Sequence, residues 1–318
     1  MTFFFLFALQ SHHISIVGSV FHREDKRALP VAAEAVELAI VLFDSGFPLT
    51  MEESLLAISR VVSAAEERTV EFVEPVFARV LAALDQRHNK DLFLRGVNVV
   101  GDLCFALDDI SAMAASIMDR LRAALQDADT HRLVKSAALA AIGDVALNMG
   151  SEFHPWLPEV FTTLTTAQGI TATEGDEDME EWVEGLRHNV LDVYSAILQG
   201  ANEENGGKAL AVVHPNLPNM AKFLGELAQL MEGKAAEDLD PELLRKMANL
   251  LGDMAQIFGP EMISTLVNAD MQWVQSVCTW QDNLQRKVWS ETGEGEYEED
   301  GSPKETAGQW AMRMLRGE

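Results

Sequence analysis

The stretch HRLVKSAALAAIGDVALNMG, His131 to Gly150, decides the fold. Its apolar residues recur at three- and four-residue spacing, which predicts a helix, yet Gly143 and Asp144 interrupt the apolar face near its middle. A glycine inside an exposed helix costs about 1 kcal/mol relative to alanine, so one occurrence is a blemish and several at one register are a rule. The register recurs. VNVVGDLCFAL carries Gly101-Asp102 and MANLLGDMAQIFG carries Gly252-Asp253. Asp102 and Asp144 lie 42 residues apart, and a further step of 42 back lands on Arg60 in MEESLLAISRVVSAA. Forward, the matching positions are Asp192 in LRHNVLDVYSAILQG and then Asp253, at intervals of 48 and 61 that polar insertions stretch.

A period of roughly 40 to 47 residues holding two helices is the mark of HEAT or armadillo stacking. The expected fold class is therefore all-α, an α-α superhelix (HEAT-repeat solenoid) of about six helix pairs. The Gly-Asp helices form the inner set. Their outer partners are expected near 33–45, 70–87, 109–126, 153–167, 215–232 and 262–278, several entered through proline, as in PWLPEVFTTL and PNLPNMAKFLGELAQL. Small residues such as Ala137, Ala138, Ala141 and Gly143 would let the inner helices approach closely, offsetting the propensity cost of glycine.

Composition narrows the function. The chain has 318 residues and a formal net charge of −26, which disfavours nucleic acid, where Lys and Arg must replace counterions, and favours a basic protein partner. Cys104 and Cys278 both fall inside apolar helical runs, so buried thiols in a reducing compartment are expected rather than a disulfide framework. MTFFFLFAL at the start is apolar but too short to span a bilayer and has no basic flank before it, so no membrane insertion is expected. Residues 1–29 are expected to be a poorly ordered or artefactual start, because QSHHISIVGSVFHREDKRALP shows no helical period. The solenoid is then expected over 30–318, with acidic or glycine-rich loops near 170–182, 200–214 and 290–305.

Catalytic signatures are missing from the sequence. It holds no G-x-S-x-G, no G-x-x-x-x-G-K-[ST] and no H-E-x-x-H, and its eight histidines are scattered. TEGDEDMEEW (173–182) lacks the glycine and the closing glutamate of a calcium loop. No enzyme activity, cofactor or metal is expected, and recognition by an extended surface is.

Several segments, in order along the chain, carry a more specific likeness. VNVVGDLCFAL, HRLVKSAALAAIGDVALNMGSEFHPWLPEVFTTL, LRHNVLDVYSAILQG, ANLLGDMAQIFG and the closing TAGQWAMRML together resemble the carboxy-terminal part of the importin beta family, nuclear import receptors built of HEAT repeats. The resemblance implies binding of the basic importin-beta-binding helix of the adaptor importin alpha, or of basic cargo, on an acidic concave surface. On the residues here that surface would comprise Asp102, Asp144, Glu184, Asp192, Asp253 and Trp310. Each aspartate has two open readings, a structural element hydrogen-bonded within the ladder or a group displayed to the ligand. The resemblance further implies contact with phenylalanine-glycine nucleoporins between outer helices, where Phe72, Val76, Phe77, Met113 and Met118 would line a groove. It implies residence in cytoplasm and nucleus and at the nuclear pore. Ran GTPase would be held only weakly, because the family grips it mainly through amino-terminal repeats that this sequence does not match. The alternative is a HEAT-repeat protein-protein scaffold with no part in transport.

Overall fold

In the computed structural model the described residues are 13–21, 26–173, 175–202, 207–267, 271–292 and 304–318, and among them the chain is helical with no β-strand. It divides into two compact units, Met1–Met149 and Gly150–Glu318.

The first unit opens with a short helix over 13–19, α1, followed by α2 (Ala32–Phe43), α3 (Pro48–Ala65), α4 (Val73–Leu84), α5 (Lys90–Ala106), α6 (Ser111–Gln126) and α7 (Arg132–Met149). The expected pairing is present: α2 lies against α3, α4 against α5 and α6 against α7. The inner helices α3, α5 and α7 pack in succession, and the outer helices α2, α4 and α6 form a second row. Sequence and structure part company at the start of the chain. Residues 1–12 lie outside the described residues, but α1 is ordered, with Ile14 and Phe21 buried, and the Ser15 carbonyl accepts from Arg60 at 3.4 Å. Seven residues are fewer than two full helical turns, too short for a period to register in the sequence.

The outer row is held by a device repeated along the chain. Asp44 and Asp85 follow directly on α2 and α4, where a carboxylate faces the negative end of the helix dipole. Each is taken up by an arginine from the next outer helix, Asp44 by Arg79 and Asp85 by Arg120, the latter pair at 2.9 Å. Between α5 and α7 the clamp is Asn148. Its side chain accepts from the Ile110 amide at 3.1 Å and donates to the carbonyls of Cys104 at 2.8 Å and Leu107 at 2.7 Å, closing the exposed end of α5. The span Arg132–Phe153 is long and apolar enough to cross a bilayer, but α7 packs against α5 and α6 as a core helix.

The second unit contains α8 (Leu157–Gln168), α9 (Glu177–Ala201), α10 (Gly207–Val213), α11 (Leu217–Met231), α12 (Pro241–Phe258), α13 (Pro260–Leu266), α14 (Gln272–Thr292) and α15 (Ala307–Arg316). Here α9, α12 and α15 form the inner row, with α8 on α9, α11 beside α14, and α14 against α15. Two expected boundaries differ. The loop expected over 200–214 contains α10, whose Ala209 and Val213 are buried, again a run too short to show a period. The outer helix expected over 262–278 is instead the short α13 and then the 21-residue α14, which carries helix into the loop expected from 290. Most of that loop, 293–303, lies outside the described residues, as do 174 and 203–206 of the other two. The loop ahead of α9 ends at Asp176, whose side chain caps the helix through the Met179 amide at 3.1 Å.

Candidate protein-binding surface

The repeated aspartates do not share one environment. On α5, Asp102 is half-buried and accepts hydrogen bonds from Ser59 at 2.5 Å and Ser63 at 3.4 Å, both on α3. Burial pushes its carboxyl up from the ordinary range, with the two hydroxyls acting in the opposite sense. On α12, Asp253 is 7% exposed and receives the Gln199 side-chain amide from α9 at 3.2 Å. Burial raises its carboxyl to about 6, against the lowering effect of Gln199 and Ser195. Both groups bridge neighbouring inner helices, so their carboxylates lie within the helix contact rather than on open surface. That corrects the expectation of a ligand-facing Asp253 in particular.

Asp192 is exposed but engaged. Its carboxylate meets Lys246 of α12 at 2.6 Å, beside the pair Arg245–Glu242 at 2.5 Å. Next to this cluster His188 of α9 reaches Asp240 at 2.8 Å, the residue that caps α12 through the amides of Glu242 and Leu243. Burial works against the ionised Asp240, yet the Leu243 amide and His188 hold its carboxyl below the ordinary range. Asp144 on α7 and Glu184 on α9 are also exposed. Asp144 lies over Gly101, where a Cβ would stand 3.1 Å from its Oδ2.

Trp310 is half-buried on α15, and its ring lies where a Cβ on Gly252 of α12 would be. Helix α15 is pinned from below. Thr306 makes a capping box with Gln309 and donates to Asp282 at 3.0 Å, and the Gly308 amide donates to Gln281 at 2.6 Å. Two of the three glycines of the Gly-Asp register thus make room for a side chain of the next inner helix, Asp144 over Gly101 and Trp310 over Gly252.

The expected nucleoporin groove fares differently. Phe72, Val76 and Met118 are buried in the first unit, and Phe77 and Met113 are half-buried. Three of the five residues are therefore core packing, which is what an apolar outer-helix face does when the next repeat covers it. An open groove occurs elsewhere. Between α11 and α14 a space of about 270 Å³ is lined by Gly225, Gln229, Glu232, Gln272, Trp273 and Trp280. Both tryptophans are half-buried, and the Trp273 ring lies 3.8 Å from the place of a Cβ on Gly225. A spacing of seven residues, which puts the two rings on one helix face, was the signal available in the sequence. A second cleft, of about 640 Å³ between α14 and α15, contains Arg286 and Arg313, but these are paired with Asp282 and Glu305. No group of three or more His, Cys, Asp or Glu arranged to hold a metal exists among the described residues. Burial pushes the Cys278 thiol up to about 12 and Cys104 higher still, as expected of unreactive thiols.

The comparisons with known proteins agree with this architecture. Importin subunit beta-1 of Arabidopsis thaliana is 29% identical over 211 residues, which is 65% of this chain and 23% of that protein. The chain thus spans about a quarter of the length of that relative. A crystal structure of importin beta in a polyethylene glycol condition superposes with a TM-score of 0.77 at 20% identity, over 98% of this chain and 35% of the other. A Kap95:Nup1 complex gives 0.73 at 20% identity over 98% and 34%, and at this identity both show the fold alone. A family model described as importin subunit beta-1-like, TPR repeats, matches residues 5–280, and on that match the chain belongs to the importin subunit beta-1-like family.

Proposed function

We propose that this chain acts as the carboxy-terminal part of a nuclear import receptor, whose inner helices bind the basic importin-beta-binding helix of importin alpha or a comparable basic cargo segment. The family match over residues 5–280 carries the proposal. The net charge of −26 and the exposed acids on inner helices, Asp144 on α7 and Glu184 and Asp192 on α9, support it. The ligand's Arg and Lys are steered by the negative field and anchored by those acids, with Trp310 offering an indole face to a guanidinium. The receptor moves between cytoplasm and nucleus through the pore, and Ran is a weak partner of this portion. A labelled importin-beta-binding peptide is expected to bind at low salt and to weaken roughly tenfold or more towards physiological salt, since exposed charge pairs are screened over about 8 to 10 Å. Asp144→Asn with Glu184→Gln should weaken it several-fold and flatten the salt dependence, while Asp102→Asn, at a carboxyl held between α3 and α5, spares the affinity. Absence of binding at low salt would leave the non-transport scaffold as the better account.

A second site is favoured by the α11–α14 groove. We assign phenylalanine-glycine nucleoporin contact to Trp273 and Trp280 rather than to the largely buried Phe72 set. The Kap95:Nup1 complex shows a protein of this fold with a partner whose name marks it as a nucleoporin. Titrating a phenylalanine-glycine peptide should move the indole resonances of Trp273 and Trp280, and Trp273→Ala should abolish the shifts at Trp280. Shifts confined to inner helices would refute this placement.

A further inference from the structure

The groove between α11 and α14 has two aromatic steps and one charged end. At one end the Trp273 ring lies 3.8 Å from the place of a Cβ on Gly225, and at the other the lining residues are Trp280 and Glu232, each seven residues further along its helix. The two helices therefore run side by side in one direction. Between the ends the groove is lined by Ala228 and Ser276, side chains small enough to leave its space of about 270 Å³ open. Seven helical residues advance about 10.5 Å. An extended strand returns to one face every second residue, at about 6.8 or 13.6 Å, whereas a polyproline II chain returns every third, at about 9.3 Å. The polyproline II step fits best. A helical ligand would match at seven residues, but a glycine beside the phenylalanine disfavours helix. Glu232 is the charged residue of the lining; it is exposed, and among the described residues no ion pair reaches it. The turn that follows adds Glu237, Asp238 and Asp240 against Lys234, so this end favours a cation.

We propose that this groove reads its ligand as a polyproline II segment, seating two apolar side chains three residues apart at Trp273 and Trp280 and a Lys or Arg at Glu232. One of the two side chains is the phenylalanine, so the proposal rests on the phenylalanine-glycine reading above; the register, the conformation and the charge go beyond it. A polyproline II chain can lie in a groove in either direction, and the cation decides which end meets Glu232. Two seats held at a fixed step also reward a ligand that is already in that conformation, because it loses less freedom on binding.

The test uses the full chain and synthetic peptides of one composition, read by fluorescence anisotropy. One contains Phe-Gly-Ser-Leu-Lys, with the apolar side chains three residues apart, and the other Phe-Gly-Leu-Ser-Lys, with them two apart. The first should bind the wild type roughly tenfold more tightly, the effect of seating one more apolar side chain. Replacing its serine by proline should keep or raise the affinity, since proline fixes the required backbone angle. Replacing its lysine by glutamate should weaken it several-fold, and Glu232→Gln should remove that preference. Trp280→Ala should bring the first peptide down to the affinity of the second. Equal affinity of the wild type for both peptides overturns the register while leaving the phenylalanine-glycine reading standing, and binding of neither overturns both. Loss of binding by the proline peptide overturns the conformation. A proline-rich peptide without phenylalanine that binds more tightly than all of these, or a wild-type dimer that the first peptide disperses, would give the groove to another occupant and equally overturn the proposal. The peptide comparison on the wild type stands even if a variant fails to fold.

Discussion

Replacing Gly252 by alanine is expected to destabilise the second unit by about 1 to 3 kcal/mol, the usual cost of forcing a methyl group into a packed contact. In an ordinary helix the same change gains up to about 1 kcal/mol of propensity. Here the new Cβ would occupy the space of the Trp310 ring. Trp310 would have to leave α12, and α15, only ten residues long, would keep its cap at Thr306 and the Gly308–Gln281 bond as its remaining polar attachments. The outcome is read as an earlier melt together with a red shift of tryptophan emission. Gly101→Ala is the control, because its Cβ would meet only the Asp144 carboxylate at 3.1 Å, and an exposed side chain can move aside. Trp310→Ala combined with Gly252→Ala should be markedly non-additive, as expected for two residues in one contact. A Gly252→Ala protein that melts at or above the wild type would show that propensity outweighs the contact and that Trp310 does not depend on the glycine.

Asp253→Asn is expected to stabilise the protein near pH 7.5 by about 2 to 3 kcal/mol, a gain that disappears towards pH 4. In the folded state the Asp253 carboxyl is raised to about 6 by burial, against an ordinary value of 3.8. Between those values the folded chain holds a proton that the unfolded chain has released. This residue's contribution to stability is therefore greatest at acid pH, falls as pH rises from about 4 to 6, and stays low above that, where a buried carboxylate is carried at full cost. Asparagine keeps an acceptor for the Gln199 amide and never ionises. Melting curves of the two proteins between pH 4 and 8 give the difference directly, since all other groups titrate in both. A variant less stable than the wild type at pH 7.5 would mean that the charge itself, not the hydrogen bond, holds α9 to α12.

Much of the fold was legible because it rests on period and composition. The Gly-Asp register located the inner helices, the proline-led segments located α8 and α11, and the 42-residue step anticipated which inner helices are neighbours in the first unit. Helices α1, α10 and α13 are seven residues each, shorter than the window that reveals periodicity, whereas the 21-residue α14 was misplaced because the run it shares with α13 looks continuous in sequence. The Arg79–Asp44 and Arg120–Asp85 clamps each join residues 35 apart, and charged pairs so far apart in sequence carry no local signature. They became visible only once the outer helices stood side by side.

The candidate site divides along the same line. The sequence by itself determined an all-helical repeat, the register of the aspartates, a large negative charge and the absence of the common catalytic motifs, because each of these is a property of local order or of composition. Only the tertiary structure decided what each repeated residue does. Asp102, Asp144, Asp192 and Asp253 occupy equivalent positions in the repeat, yet one is half-buried under two serines, one lies over a glycine, one is paired to a lysine and one is buried against a glutamine. Their neighbours come from a different helix some 40 to 55 residues away, and it is the desolvation and hydrogen bonding supplied across that helix contact that separate a carboxylate open to a ligand from one that belongs to the core.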